Sequence, residues 1–292
     1  MRKFGLMALL FISSLLRAQD IKKVEEDLMN MLKDSTVTYG KDKKAGKFYD
    51  IRGFKMYAET YGQGEPLLII HGNGGSINNF IYQIPFFSKN YKVIIADSRA
   101  QGKSMDLRDS LTYEMMADDY AALLTEMKID SAYVIGWSDG GINGLLLAMR
   151  HPEKVKKLAI TGANLVPDNT AVPQEVWDMV RPAQAELKAK ANKTISEKAQ
   201  LKLLNLLCDQ PHITDTQLKA ISCPTLVIGG DHDVIKVEHT FYIYSNLPKS
   251  YLWILPNSGH STPIVYKDDF NQHIDLFFKT PYRSFDAQAR FF

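Results

Sequence analysis

The chain has 292 residues, 45% of them hydrophobic and 23% charged, with 35 Lys and Arg against 33 Asp and Glu for a formal net charge of +2. These proportions exclude a disordered, collagen-like or coiled-coil chain, and so slight a basic excess without a long run of like charge argues against a nucleic-acid binder. Two cysteines cannot make a disulfide scaffold, and no C-x-x-C or Cys/His cluster offers a metal site.

At the start of the chain, Arg2 and Lys3 precede an uncharged apolar run over residues 4–16, followed by Arg17 and Ala18. A basic start, a short apolar run and a small residue at the cut predict a secretory signal peptide over 1–18. The run is shorter than the roughly 20 residues a spanning helix needs, and no cysteine follows it to accept a lipid. The expectation is an exported chain, periplasmic or secreted, with no stable membrane insertion of its mature part. Cleavage there removes Arg2, Lys3 and Arg17 and no acid, so the formal charge drops by three from +2 to −1. Residues 19–47 read as a polar helix and linker, with Lys41-Asp42-Lys43-Lys44 exposed.

From residue 48 onward strand and helix signals alternate, the pattern of a mostly parallel sheet covered by helices. The spacing predicts an opening hairpin over 48–52 and 54–61, then strands over 67–71, 92–97, 132–137, 158–161, 225–229 and 251–255. Runs as apolar as LLII and KVIIAD suit strands buried on both faces. Helical periodicity covers 113–128 and 142–150. Between 165 and 222 the strand signal stops and only helical material remains, over 173–190 and 194–208. An insertion of this size between strands is read as a lid. Its apolar residues Trp177, Met179, Leu203, Leu204, Leu206 and Leu207 can face a pocket or pack on the body. The resulting division is a core over 48–164 and 223–280, the lid over 165–222 and a tail over 281–292.

The chemistry centres on Gly136-Trp137-Ser138-Asp139-Gly140-Gly141, directly after a buried strand and before a helix. This is G-x-S-x-G in strand-turn-helix context, a nucleophile elbow. So sharp a turn forces the serine into strained dihedrals and leaves no room for side chains two residues before and after it. Serine needs a base. Of seven histidines, His260 in Pro256-Asn257-Ser258-Gly259-His260 follows a strand at the same sheet edge as the elbow. A carboxylate must orient that imidazole. Asp233, in Gly230-Asp231-His232-Asp233, is assigned this role, with Asp231 open as the alternative. The loop His71-Gly72-Asn73-Gly74-Gly75-Ser76 can turn backbone N–H groups toward a developing oxyanion. Asn73 and Asp139 are assigned as the two donors, with Gly74 next in line; His71 is read as structural.

The elbow, the HG loop, Asp97-Ser98-Arg99-Ala100-Gln101-Gly102-Lys103-Ser104, the Cys223-Pro224-Thr225-Leu226-Val227 strand and the GxxD…GH ending together resemble the α/β-hydrolase superfamily over roughly residues 48–279. The resemblance implies an α/β-hydrolase fold, with a mostly parallel central sheet, helices on both faces and a helical lid. Within the superfamily, GWSDGG followed by Ile142, and Thr161-Gly162-Ala163-Asn164, are similar to the valacyclovirase (biphenyl-hydrolase-like) group. That similarity implies small ester substrates, among them amino-acid esters, with Gly74, Trp137, Asp139 and Asn164 near the substrate. One departure is Ala100, where the superfamily usually has glycine.

Gly102-Lys103-Ser104 is no P-loop, because Asp97 stands where the motif needs glycine; Asp97 and Arg99 are read as a structural pair. No dinucleotide or metal motif appears, so no cofactor is expected. Ser rather than Asp at the elbow argues against attack by a carboxylate. Asp139 has two readings: an acid favoured by the helix dipole, or a partner for a substrate ammonium. Cys208 and Cys223 are read as free thiols. The expectation is a serine hydrolase of small carboxylic esters acting through an acyl-enzyme. Lactone, C–C, thioester and N-terminal peptide hydrolysis run on the same residues, and a ligand-binding protein without turnover belongs to another class.

Overall fold

The apolar runs become strands because both of their faces are covered, and the covering is visible residue by residue. In a strand successive side chains point to opposite faces. Leu68, Ile70, Ile94, Val134, Leu158 and Ile160 join one buried cluster, while Leu67, Ile69, Val93, Ile95, Ile135 and Ala159 join another. The structure, a computed structural model, describes residue 26 and residues 38–284. The expected signal peptide and most of the segment before residue 38 lie outside the described residues, as does the tail from 285.

The strands are β1 (Gly46–Ile51), β2 (Phe54–Tyr61), β3 (Glu65–Ile70), β4 (Tyr91–Ala96), β5 (Ala132–Trp137), β6 (Val155–Thr161), β7 (Thr225–Gly230) and β8 (Ser250–Leu255). The α-helices are α1 (Gln83–Phe87), α2 (Tyr113–Glu126), α3 (Asp139–Arg150), α4 (Gln174–Ala189), α5 (Ile195–Asp209), α6 (Asp215–Lys219), α7 (Val237–Asn246), α8 (Thr262–Val265) and α9 (Lys267–Lys279). The sheet order is β1-β2-β4-β3-β5-β6-β7-β8. β1 and β2 pair antiparallel, β2 meets β4 antiparallel, and every later pair is parallel. Parallel neighbours need long crossovers, which the helices supply. Leu123, Leu124, Leu145 and Leu146 cover one face from α2 and α3. Phe87, Phe270, Ile274 and Phe278 cover the other from α1 and α9. Because β3, β5, β6, β7 and β8 all run the same way, the loops after them open at one sheet edge, where the chemistry assigned above converges.

The insertion between β6 and β7 contains no strand. α4 and α5 pack together through Val180, Leu187, Leu204 and Cys208. Its last part belongs to the body instead: Ile213, Leu218 and Ile221 are buried in the main core. Neither Cys208 nor Cys223 forms a disulfide. At the front of the body Glu59 is fully buried yet satisfied. It accepts from Tyr57 Oη (2.7 Å), Tyr61 Oη (2.8 Å) and the backbone N–H groups of Gly40 (2.7 Å) and Asp42 (3.0 Å). The segment just before β1 is therefore held against the sheet.

One detail differs from the sequence reading. Asp97 and Arg99 are not partners. The Asp97 carboxylate accepts from the backbone N–H groups of Ile77 (3.0 Å) and Lys103 (2.7 Å), fixing the loops on either side. The buried Arg99 guanidinium points elsewhere, donating to Asp119 (2.6 Å) and Asp106 (2.7 Å) and lying 4.0 Å above the Phe54 ring. Ala100 keeps the loop with φ +62°, a left-handed conformation that costs a non-glycine residue about 1 kcal/mol. The hydrogen bond from its N–H to Ser104 O (2.8 Å) closes the turn nonetheless.

Candidate active site

β5 ends at Trp137 and α3 begins at Asp139, so Ser138 makes the whole turn alone, at φ +59° and ψ −123°. Its N–H donates to Thr161 O on β6 (2.8 Å), and its carbonyl accepts from Gly141 (2.7 Å) and Ile142 (3.2 Å). Flanking glycines are required because a Cβ on Gly136 would stand 2.2 Å from Gly140 O, and one on Gly140 only 2.0 Å from Ile70 O. The turn lifts the serine hydroxyl above the sheet edge, at the N-terminus of α3.

His260 follows β8. Its Nε2 lies 2.9 Å from Ser138 Oγ, and its Nδ1 lies 2.7 Å from Asp233 Oδ1. These partners require the proton on Nδ1, leaving Nε2 free to accept from the serine. Trp137 Nε1 donates to the His260 carbonyl (2.8 Å) and anchors the histidine from the elbow strand. The Asp233 side chain is fully buried. Its Oδ1 also accepts from Ile235 N (3.0 Å), and its Oδ2 has no partner among the described residues. Burial by itself lowers the His260 pKa. The Asp233 carboxylate opposes this by charge and hydrogen bond, the Asp139 charge adds to it, and the net is a rise above the ordinary histidine value.

Asp231, the open alternative, does not reach His260. Its Oδ1 accepts from Ser258 N (2.9 Å) and faces His232 Nδ1 (2.8 Å), so it braces the loop that carries His260. His71 is buried: Nδ1 donates to Gly72 O (2.8 Å) and Nε2 accepts from Ser98 N (2.9 Å). Burial lowers its pKa, which keeps it neutral and structural.

A cavity of about 210 Å³ opens in front of Ser138 and His260. Asn73, Gly74, Trp137, Asp139 and Asn164 all line it. The backbone N–H groups of Asn73 and Asp139 carry no hydrogen bond to a described residue, and Asp139 is the first residue of its helix, where no intrahelical acceptor exists. The Asn73 side chain turns inward instead, donating from Nδ2 to Asp139 Oδ2 (2.8 Å) and to Leu203 O (3.2 Å). Burial pushes the Asp139 pKa up to about 6, although Asn73, Tyr113 and His260 pull the other way. The buried Tyr113 hydroxyl lies beside that carboxylate and acts on it without meeting full hydrogen-bonding geometry. Asn164 is tied by its Nδ2 to Val166 O (3.0 Å).

The helical insertion between β6 and β7 supplies most of the apolar wall. Trp177, Leu203, Leu204 and Leu207 line the cavity, whereas Leu206 is core and Met179 is exposed. Val172, Val176 and Val180 from the insertion and Val234 and Ile235 from the loop after β7 complete the wall and were not singled out in the sequence; a lone apolar residue in such a segment carries no signal of which way it faces. Tyr113 was missed too, because its helical periodicity reads as plain core. Among the described residues no group of three His, Cys, Asp or Glu is placed to hold a metal ion, and no helix is long and apolar enough to cross a membrane.

The model of the alpha/beta hydrolase fold family matches residues 65–214. Serine hydrolase BPHL of Mus musculus is 24% identical over 249 residues, spanning 78% of this chain and 84% of that protein. A 2-hydroxy-6-oxononadienedioate/2-hydroxy-6-oxononatrienedioate hydrolase of Comamonas testosteroni is 25% identical over 261 residues, spanning 76% and 90%. Among solved structures, the enol-lactonase from Burkholderia xenovorans LB400 superposes with a TM-score of 0.68 at 18% identity, covering 80% of this chain and all of that one. At such identity the structural likeness speaks for the fold.

Proposed function

The chain belongs to the alpha/beta hydrolase fold family, and from that premise we propose that it is an exported serine hydrolase of small carboxylic esters. The observation that carries the reading is the unbroken chain Ser138 Oγ, His260 and Asp233, at 2.9 and 2.7 Å. In the proposed reaction His260 Nε2 takes the serine proton as Oγ attacks the ester carbonyl. The imidazolium formed is stabilised by the buried Asp233 carboxylate. The backbone N–H groups of Asn73 and Asp139 donate to the oxyanion, where two such donors each contribute on the order of 3 kcal/mol. Collapse of the tetrahedral adduct breaks the bond to the alcohol, which leaves with the proton from His260. Water, deprotonated by the same nitrogen, then attacks the acyl-enzyme, releasing the acid and returning the proton to Ser138.

The acyl side of the substrate is proposed to be apolar and of modest size. A 150 Å³ apolar cavity accommodates benzene, so about 210 Å³ leaves room for about eight non-hydrogen atoms. Amino-acid esters are the rival reading, which requires the Asp139 carboxylate, a residue of the cavity lining, to meet the substrate ammonium. A panel of p-nitrophenyl esters from acetate to laurate, run beside amino-acid esters, tests both. The proposal expects a rate maximum between butyrate and octanoate. Equal rates at all lengths would contradict an acyl chain held in this cavity, and no turnover of any ester would contradict the esterase reading.

A further inference from the structure

Asn73 has one side-chain amide nitrogen with two hydrogens, and both are spent on different parts of the fold. One goes to Asp139 Oδ2 (2.8 Å) at the start of the elbow helix, the other to Leu203 O (3.2 Å) in the lid helix α5. Asp139 is itself buried, with 2% of its surface exposed, so its carboxylate depends on such internal donors to offset lost hydration. α5 is also the helix that brings Leu203, Leu204 and Leu207 to the cavity. A single side chain therefore joins the oxyanion loop, the nucleophile elbow and the lid.

We propose that the Asn73 side chain is a clasp, a positioning device that couples closure of the lid helix to the aim of the Asn73 backbone N–H, with Asp139 as its internal anchor rather than a receptor for a substrate ammonium. This rests on the hydrolase reading for its kinetic part only. When α5 sits on the cavity, Leu203 O and Asp139 Oδ2 fix the amide from two sides and so fix the loop from which the proposed oxyanion donor projects. When α5 lifts, the loop loses one of its two restraints. Substrate enclosure and oxyanion stabilisation then occur together, and a lid left open by a poorly fitting acyl group would leave the donor loosely aimed. A misplacement on the scale of 1 Å at such a donor costs about a hundredfold in rate, so partial loosening suffices to matter.

The test compares Asn73→Ala, Asp139→Ala, their double variant and Asp139→Asn, using a neutral p-nitrophenyl ester and hydrogen exchange of the folded chains. The clasp predicts that each alanine variant lowers kcat about tenfold. The double variant should lose little more than either alone, instead of the hundredfold that independent effects would multiply to. Asp139→Asn keeps an acceptor oxygen for Asn73 and should recover most of the loss. Amides in the second half of α5 should exchange faster in both alanine variants. Additive losses, unaltered exchange in α5, or normal rates on neutral esters with losses confined to amino-acid esters would each overturn the clasp. Exchange needs no substrate, so the clasp is tested even where the esterase reading fails. That failure would show separately, as wild-type protein without turnover.

Discussion

Gly140→Ala asks whether the elbow is held by steric fit. An added Cβ would stand 2.0 Å from Ile70 O and 2.9 Å from His71 O, both backbone atoms at the end of β3. A carbon meets a carbonyl oxygen at about 3.3 Å or more, so β3 and the start of α3 must separate by about 1.3 Å. Neither side is a flexible side chain, and forcing atoms into a filled interior costs about 1–3 kcal/mol. For a chain of this size that lowers the melting temperature by on the order of 5 °C. The separation moves Ser138 away from the loop that carries Asn73, and a displacement near 1 Å lowers the rate about a hundredfold. Gly144→Ala, one turn later in the same helix, is the control. Its Cβ would lie 2.8 Å from Leu158 Cδ1, the movable tip of a side chain, and alanine gains up to about 1 kcal/mol in a helix interior. Thermal unfolding and ester kinetics on both variants decide. If Gly140→Ala melts no earlier than Gly144→Ala and keeps its rate within threefold of wild type, the steric account of the elbow is wrong.

Further outcomes follow from the same geometry. The proposed base His260 can act only when neutral, and its pKa is raised, so kcat/KM should climb with pH and reach half its maximum above the ordinary histidine value of about 6.5. Asp233→Asn removes the main upward influence on His260; the midpoint of that profile should fall, and kcat should drop by roughly three to four orders of magnitude as the imidazole loses its orientation. A midpoint that stays put would assign the perturbation to another group. Val180→Phe fills the lid side of the cavity and should raise the butyrate-to-octanoate rate ratio at least tenfold, measured by the same chromogenic esters; an unchanged ratio would place the acyl chain elsewhere.

Much of this was legible in the sequence because the constraints are local. Gly136 and Gly140 announce the elbow since nothing larger fits, and the apolar runs announce strands covered on both faces. Where two like residues compete, local pattern stops. Asp231 and Asp233 both follow β7, and only the folded loop shows that Asp233 meets His260 Nδ1 while Asp231 meets Ser258 N. Arg99 was paired with its neighbour Asp97, yet its partners Asp106 and Asp119 arrive from the following loop and helix. The Asn73 contact to the lid was invisible for a simpler reason: the acceptor is the backbone carbonyl of Leu203, which every residue possesses. Lid residues were readable as apolar, but which of them faced the cavity depended on how α4 and α5 rotate on the body.

The proposed activation of Ser138 as a nucleophile by His260 can be tested directly by covalent labelling. A fluorophosphonate probe reacts covalently with such a serine only while the triad is assembled, and mass spectrometry locates the adduct. One adduct on Ser138 is expected in the folded wild-type protein, absent after Ser138→Ala and strongly slowed in His260→Ala. A folded wild-type chain that does not label, or labelling that persists in Ser138→Ala, would contradict it.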